Sequence, residues 1–444
     1  MPPSPTRPPA GADPGPRIRR RVLLRLLPLL FVLYVVAHLD RTNVSFGALE
    51  MSGDLGFSPR VYGLGAGIFF LGYVLLEIPG ALIAYRWSVR KWVARIMISW
   101  GVLAAGMGFI HTSGQFYWMR FLLGLAEAGF FPAMIIYIGR WFVRADRAKA
   151  LALFMSAISA AIVLGGPVSG LLMKIDWLGL PGWRWMFILE GVPAVGLGFV
   201  ALFFLTDHPR EARWLAPADR AWLESELRSE AAAAPAAAHG FGAMLREARR
   251  PRVLLLAAAY FFAVACNAGF SFWLPSVIQS VSSLPTFAIT LLASLPAGFG
   301  FGAKLLAGWS SDRTRERYWH TVALLGLGAS GLALAALYHA TPGLALFFIC
   351  VAALGFWGNT PCFWALGTEF LAGTSGAFAI GLVNTVGQLG GFVGPYALGW
   401  LRERGENFAG GFVFLAACLA VATGLVAATR LSAKPISPYE DRTG

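Results

Sequence analysis

The chain is dominated by apolar runs that are long enough to form membrane-spanning helices. Twelve such runs can be drawn, the first beginning at Val22 and the last ending near residue 430. A helix needs about 20 consecutive apolar residues to cross a bilayer. Short polar gaps separate the runs, and the longest gap, 207–250, divides them into two sets of six. The pattern predicts an all-α membrane protein with twelve transmembrane helices in two six-helix bundles.

The same pattern predicts the domain boundaries. Residues 1–20 are rich in Pro, Gly and Arg, which is typical of a disordered tail rather than a cleaved signal peptide. Residues 21–206 form the first bundle, 207–250 the central loop and 251–430 the second bundle. Residues 431–444 form a second tail. Both tails and the central loop are expected in the cytosol.

Composition excludes a water-soluble protein. The 444 residues are 57% hydrophobic and 13% charged, and the mean hydropathy is +0.63. Soluble domains carry about 25% charged residues, so this chain has too little charge to cover a soluble surface. The four cysteines lie in apolar runs without the spacing of a metal site, so we expect no metal and no cofactor other than a coupling ion.

The distribution of positive charge predicts the orientation in the membrane. Lys and Arg number 36 against 23 Asp and Glu, and most of the basic residues fall in one alternate set of loops and in the tails. The positive-inside rule places these loops and both termini in the cytosol. The excess charge therefore reports topology in a cell inner (plasma) membrane, with lipid as a partner and no role in nucleic-acid binding.

Two basic loops in corresponding positions indicate an internal repeat. The loop after the second span begins at Arg86, and the loop after the eighth span carries the residues 308–317. They are separated by about half of the chain. Duplicated bundles related by a pseudo-two-fold axis are typical of secondary transporters.

The second loop and several other strings resemble the major facilitator superfamily, and in particular its anion:cation symporter branch. The 308–317 segment is similar to the loop signature G-x-x-x-D-R-x-G-R-R, whereas the first copy is degraded, with Tyr85 in place of Asp and Ser88 in place of Gly. The strings are HLDRTN at 38–43, FFLGY at 69–73, EIP at 77–79, RFLLGLAEAGFFP at 120–132, SDRTRER at 311–317 and GGFVGP at 390–395. The resemblance covers nearly the whole chain and implies proton-coupled uptake of organic anions such as sugar acids, tartrate-like acids or aromatic carboxylates.

Charged residues inside the predicted spans are the first candidates for function, because an unpaired charge in the bilayer core costs several kcal/mol. Arg120 and Glu127 lie two helical turns apart on one face, with an axial separation of about 10 Å. We interpret Glu127 as a proton-carrying carboxylate and Arg120 as its cationic partner. A structural ion pair is the alternative. The resemblance also implies a proton site at Glu127.

The first span carries a polar stripe. Tyr34, His38 and Arg41 share one helix face, and we interpret Arg41 as the cation that binds a substrate carboxylate, because its planar fork matches a carboxylate. His38 is a candidate substrate contact or a packing residue. Asp40 points to a different face, and the resemblance implies a second proton site there. A counter-ion role is the alternative for Asp40.

Further candidate substrate contacts come from other spans. Tyr73 corresponds to a cavity aromatic in the resemblance, and Asn384 and Gln388 share a face of the eleventh span. Trp364 is a candidate for packing against substrate carbon, with core packing as the alternative. Weaker interpretations give Glu77 a bracing role and Glu190 a structural role. Lys304 is expected to extend toward the cytosolic surface.

The basic loops are interpreted as a cytosolic gate. Its candidate residues are Arg86, Arg90, Asp312 and Arg313, with Asp312 and Arg313 bridging helix ends in one conformation and releasing them in another. Topology alone is the alternative explanation for these arginines.

Together these features predict a secondary transporter, not an enzyme, that takes up a small organic carboxylate with protons by alternating access. We expect a small anionic substrate and a monomer. The alternative is a proton-coupled exporter of drugs or metabolites, because Gly166-Pro167 with Gly170 partly resembles an antiporter motif. A sensor that binds without transport is a more distant alternative.

Overall fold

The computed structural model describes residues 14–232, 249–370, 374–405 and 407–431, without the side chains of 231, 369–370, 374–378 and 431. The remaining parts of the predicted tails and central loop lie outside the described residues. In the described part, helices of the first half are α1 (Gly15–Asp54), α2 (Pro59–Arg86), α3 (Val89–Gly106), α4 (Ser113–Glu127), α5 (Phe130–Trp141), α6 (Arg144–Leu172) and α7 (Gly182–Phe204). The connecting helix is α8 (Pro217–Ala232). Those of the second half are α9 (Pro251–Ser280), α10 (Thr286–Thr314), α11 (Tyr318–Leu337), α12 (Pro342–Phe370), α13 (Thr374–Arg404) and α14 (Ala409–Leu431).

The architecture confirms an all-α membrane protein. Eleven helical segments among the described residues are long and apolar enough to cross a membrane, and α4 with α5 counts as one of them. Helix α13 is not among the eleven, but it packs between α2 of the first half and α9 of the second. Within the first half α3 packs on α7, α2 on α4 and α1 on α6. Within the second half α11 packs on α12 and α14, and α10 packs on α12.

Helical structure extends into two segments that the sequence prediction left outside the bundles. Helix α1 begins at Gly15, so the predicted end of the first tail at residue 20 is too late. Its first turns are fixed by other helices, because Arg19 makes two hydrogen bonds of 2.6 Å to Asp146 of α6 and Arg17 makes one of 2.6 Å to Asp219 of α8. The predicted central loop accordingly contains a helix that packs on α1.

The fourth predicted span is interrupted. Helix α4 ends at Glu127, and α5 begins at Phe130 after Gly129, whose φ of 84° lies in the left-handed region that favours glycine. A side chain at Gly129 would also meet the backbone of Gly80 at 3.0 Å. The break leaves Glu127 at a helix end inside the bundle, which is the kind of discontinuity that secondary transporters use at their binding sites.

The halves meet along three helix pairs, chiefly α2 with α13 and α6 with α10, and also α1 with α9. Glycines allow close approach at the first pair: a Cβ on Gly63 would lie 2.5 Å from the carbonyl oxygen of Pro395, and one on Gly67 would lie 2.6 Å from that of Phe392. We call the end of the bundle with the loops 87–88 and 315–317 the basic end, and the end with 55–58 and 281–285 the distal end. Hydrogen bonds near the distal end join the Tyr62 hydroxyl to the carbonyl of Phe272 at 2.7 Å, Gln279 to the carbonyl of Leu49 at 3.2 Å and Thr286 to Glu50 at 3.3 Å.

Gly124 holds α4 against α2, and we expect Gly124→Ala to lower the melting temperature of the purified protein by several degrees or to prevent its folding. The added Cβ would lie 2.0 Å from the carbonyl oxygen of Phe69, and neither backbone can move without separating the helices. Gly139→Ala is the matched control, since nothing lies within 4 Å of its Cβ position. Equal melting temperatures for the two variants would contradict this account of the α2–α4 contact.

Candidate functional site

An ion pair between α1 and α4 forms the centre of the candidate site. Arg41 donates a hydrogen bond from Nη2 to Oε1 of Glu127, and the two residues are 86 positions apart in the sequence. The Glu127 side chain is 4% exposed, whereas that of Arg41 keeps 21% of its surface accessible. Because Arg41 lies in the middle of a long apolar helix, this accessible surface indicates a cation that a ligand can reach.

Aromatic rings surround the arginine. The Arg41 guanidinium lies 5.1 Å from the ring centre of Tyr73 and 5.4 Å from that of Phe69, both on α2. Tyr34 is buried two turns before Arg41 on the same helix, where it stacks on Phe154 at 4.3 Å and meets His38 edge-on at 4.5 Å. The polar stripe predicted on α1 is therefore present, and its tyrosine and histidine pack against each other.

Arg120 is not the hydrogen-bonded partner of Glu127. It is 1% exposed and donates to two carbonyl oxygens of α2, those of Gly65 at 3.3 Å and Ala66 at 3.4 Å. Its guanidinium also lies 4.9 Å from the ring centre of Phe69. Arg120 remains close enough to Glu127 for their charges to interact. Its guanidinium group nevertheless points toward α2, and the Glu127 carboxylate is bound by Arg41 of α1.

Asp40 belongs to a separate acidic cluster inside the first half. Asn43 donates to Asp40 at 3.3 Å, and Glu190 of α7, which lies close enough to Asp40 for their charges to interact, accepts from the Ser169 hydroxyl at 2.7 Å. Asp40 is 2% exposed and Glu190 is 6% exposed. Among the described residues, one oxygen of each carboxylate has no hydrogen-bond partner. Two buried carboxylates whose charges interact repel each other unless a proton is bound, so the cluster can hold one.

The second half contributes side chains that face this region. Asn384 of α13 donates to Oε1 of Glu77 on α2 at 3.0 Å, which continues the contact between the halves toward the basic end. Trp364 of α12 meets Tyr260 of α9 edge-on at 4.9 Å. Asn384 reaches α2, the helix whose Tyr73 and Phe69 rings lie beside Arg41. Gln388 lies one turn beyond Asn384 on α13 and is partly buried.

The residues predicted as a gate lie at the basic end but are not joined to one another by any contact that the structure describes. The backbone N–H of Arg90 donates to Asp207 at 3.0 Å within the first half. Asp312 accepts from Arg317 at 2.6 Å, and Arg313 lies 5.6 Å from the ring centre of Trp309, both within the second half. Arg86 closes α2. No contact of the described residues joins Asp312 or Arg313 to the first half, and the gate stays a prediction.

Glu190 and Lys304 are two further charged residues within apolar runs. Glu190 lies close enough to Asp40 for their charges to interact, and Lys304 is partly buried on α10. The available signal was the same as for Arg41, namely a charge within an apolar run. Among the described residues, no group of three or more His, Cys, Asp or Glu side chains is arranged to hold a metal ion.

Comparison with known proteins assigns the family. Residues 30–395 match the family model described as Major Facilitator Superfamily. The chain is 42% identical over 416 residues to a "Putative tartrate transporter" of Agrobacterium vitis, covering 93% of this chain and 94% of that protein. It is 38% identical over 397 residues to a "Quinolone resistance transporter" of Acinetobacter baumannii, covering 89% and 91%.

A solved structure supports the same fold. The crystal structure of a bacterial homolog of the human lysosomal transporter Spinster, in an inward-facing and unoccupied conformation, aligns with a TM-score of 0.74. The alignment covers 95% of this chain and 98% of that chain at 18% sequence identity, which shows a common fold. The protein is thus a multi-pass membrane transporter rather than an enzyme, and it belongs to the Major Facilitator Superfamily.

Proposed function

We propose that the protein carries a small organic carboxylate and protons together across the membrane by alternating access. The observation that carries the proposal is the Arg41–Glu127 pair, in which a reachable cation is neutralised by a buried carboxylate. A substrate carboxylate competes with Glu127 for the guanidinium fork, since both present the same planar pair of oxygens. Binding of substrate is then favoured when Glu127 carries a proton.

This exchange couples the two ligands thermodynamically. Substrate draws Arg41 away from Glu127, which leaves the buried carboxylate without its cation and favours its protonated form. By linkage, protonation of Glu127 strengthens substrate binding by the same factor. The Asp40–Glu190 cluster provides a second position for a proton in the same half.

The proposed direction of opening follows from the contacts between the halves. The hydrogen bonds from Tyr62, Gln279 and Thr286 join the halves near the distal end. If the basic end faces the cytosol, as the positive-inside rule favours, this conformation is closed toward the outside. A rocking motion of the halves about the Arg41 region then exposes the site to each side in turn.

The substrate class is supported by the chemistry of the site and by the relatives. A guanidinium flanked by the Tyr73 and Phe69 rings suits a small carboxylate with a polar or flat body. The relatives that are 42% identical are named putative tartrate transporters, and tartrate is a small organic acid.

Uptake into proteoliposomes tests the proposal. Purified protein is reconstituted, a proton gradient is imposed with the acidic side outside, and the internal concentration of radiolabelled tartrate is followed. We expect accumulation above the external concentration, and its loss when a protonophore collapses the gradient. Uptake that never exceeds equilibration, or that ignores the protonophore, contradicts proton coupling.

An exporter of drugs is the second candidate, and it is favoured by the 38% identity to the quinolone resistance transporter. An exporter that exchanges protons for drugs would extrude a fluoroquinolone from vesicles when protons flow inward and would leave tartrate unmoved. The same vesicles therefore separate the two functions. We favour carboxylate uptake because the reachable charge at the site is cationic.

A further inference from the structure

A small cavity lies at the basic end of the first half, where α5, α8 and the segment after α7 meet. Its volume is about 240 Å³, and its polar lining consists of Arg140 of α5, His208 and Arg210 of the segment after α7, and Glu224 and Arg228 of α8. A single water needs about 10–15 Å³, so the cavity has room for a group the size of a phosphate ester.

Contacts within the first half fix the walls of this cavity. Trp141, next to Arg140, donates its indole N–H to the carbonyl oxygen of Thr206 at 3.0 Å, which holds the segment after α7 against the end of α5. Arg220 of α8 donates to the carbonyl oxygen of Arg210 at 3.4 Å, which attaches α8 to the same segment. The three walls are therefore joined to one another.

Positive charge dominates the lining. Arg140 donates to the carbonyl oxygen of Tyr85 at 2.9 Å. Neither Arg140 nor Arg210 pairs with a carboxylate in the contacts that the structure describes. Glu224 pairs with Arg228 at 3.0 Å, so three guanidinium groups share the cavity with one carboxylate. Arginine binds the oxygens of a phosphate group with two parallel N–H groups, and the lining is therefore suited to an anionic phosphate.

Two acids adjoin the segment after α7 in the sequence without lining the cavity. Asp207 accepts from the Ser88 hydroxyl at 2.6 Å and from the backbone N–H of Arg90 at 3.0 Å, both at the start of α3. Glu211 is exposed to solvent. The segment itself thus supplies no carboxylate that balances the positive charge of the lining.

The cavity lies at the level of the lipid headgroups. Arg140 is in the last turn of α5, and its partner Tyr85 is in the last turn of α2. The aromatic side chains of Tyr85 and Trp87 at the end of α2, and of Phe203 at the end of α7, are exposed, which is typical of a membrane interface. Basic pockets bind the headgroups of anionic lipids on the cytosolic side of a membrane, the side that the positive-inside rule favours for the basic end.

We propose that this cavity binds the phosphate group of an anionic phospholipid and thereby fastens α8 to the membrane surface. Arg140 and Arg210 hold the phosphate oxygens, while the acyl chains lie in the bilayer beside the ends of α2 and α7. A zwitterionic lipid also brings a positive group to a lining that is already cationic, so it binds less tightly. Because α8 begins the connection between the halves, the lipid fixes the start of that connection. The inference is independent of the proposed function.

Two short-chain lipids test the proposal on the unmodified protein. Dihexanoyl phosphatidylglycerol, which is anionic, and dihexanoyl phosphatidylcholine, which is zwitterionic, are titrated below their micelle-forming concentrations into protein purified in a non-ionic detergent. The melting temperature reports binding, because a ligand of the folded state raises it. We expect the apparent affinity for phosphatidylglycerol to be at least about fivefold higher, the factor for one charge at a membrane surface. Equal stabilisation by both lipids overturns the proposal.

Glycerol 3-phosphate separates a lipid from a soluble phosphate ester, since it carries the phosphate group without acyl chains. We expect no rise in melting temperature at the concentrations at which phosphatidylglycerol acts. If glycerol 3-phosphate stabilises the protein equally, the cavity takes a soluble phosphate ester and the lipid assignment is wrong.

The variant Arg210→Gln then assigns the effect to the cavity. We expect it to weaken the apparent affinity for phosphatidylglycerol about fivefold, and Arg140→Gln to weaken it at least as much. Arg140→Gln also loses the bond to Tyr85, so the melting temperature of each variant without lipid serves as its own reference.

Lys149→Gln is the matched control, because it removes one exposed positive charge at the same end of the bundle. The titrations are made at about 0.15 M salt, where charges more than about 8 Å apart are largely screened. We expect this variant to change the apparent affinity less than about twofold. An equal loss in Lys149→Gln and Arg210→Gln would mean that the lipid responds to the overall charge of the basic end, and the proposed site would be wrong.

Discussion

Replacing Arg41 by alanine is expected to abolish saturable binding of organic carboxylates, with a loss of at least about a hundredfold in affinity. The guanidinium is the reachable cation of the site, and truncating one partner of a buried charge pair between a protein and its ligand costs about 2–5 kcal/mol of binding free energy. Arg41→Lys keeps the charge but loses the planar fork, so we expect intermediate affinity. Isothermal titration or ligand-dependent thermal stabilisation of the purified variants measures the effect.

The Arg41→Ala variant needs a test of folding, because it also leaves Glu127 buried without its cation. The double variant Arg41→Ala/Glu127→Gln removes the stranded charge, so it should melt at a higher temperature than Arg41→Ala while still failing to bind. Arg25→Ala is a control on the same helix, since Arg25 is exposed and stacks over Phe204 far from the site. Undiminished binding by folded Arg41→Ala would remove this residue from the substrate site.

Replacing Glu127 by glutamine is expected to block accumulation driven by the proton gradient while leaving exchange of substrate across the membrane. Glutamine resembles the protonated carboxyl group and cannot release a proton, so Arg41 is permanently available to substrate. We therefore expect binding to the unmodified protein to weaken as the pH rises and Glu127 deprotonates, and binding to Glu127→Gln to lose this dependence. Accumulation should fall at least tenfold, whereas counterflow of radiolabelled against unlabelled substrate should stay within about threefold, or about 0.6 kcal/mol.

Asp40→Asn distinguishes the two acidic positions. Asp40 accepts from Asn43, lies close enough to Glu190 for their charges to interact, and does not touch Arg41 in the described contacts. Its replacement should leave the pH dependence of binding in place, even where it reduces transport. If accumulation survives in Glu127→Gln and is lost in Asp40→Asn, the coupling proton is carried by the Asp40 cluster. Glu224→Gln, in the connecting helix α8 where Glu224 pairs with Arg228, is the control for loss of a carboxylate.

The amino-acid sequence by itself determined the class of protein, the two bundles and the shortlist of charged residues. These properties are visible locally, because the bilayer requires long apolar runs and makes every charge within them conspicuous. Arg41, Glu127, Asp40 and Arg120 were all found in this way. The polar stripe on α1 was also readable, since residues on one helix face recur at a fixed spacing.

Only the tertiary structure decided which of these charges meet. Helical spacing placed Glu127 two turns from Arg120. In the structure, however, the Arg120 guanidinium donates to carbonyl groups of α2, and the Glu127 carboxylate pairs with Arg41. The depth and rotation of each helix, set by glycine contacts such as Gly124 against Phe69, fix these partners. No local pattern encodes the crossing of two helices, and a partner on another helix therefore stays undetermined until the packing is known.

The surroundings of the Lys304 side chain could not be predicted from the sequence for the same reason. Its distance from the end of α10 favoured a side chain that extends to the surface, because a lysine near a helix end can reach water along its own helix. In the packed structure Lys304 is partly buried and falls on the buried stripe of α10, where Gly300 packs against Trp357 of α12. A charge in an apolar run is thus visible in the sequence, but whether it meets lipid, a carboxylate or a substrate depends on the orientation of a helix that only tertiary packing fixes.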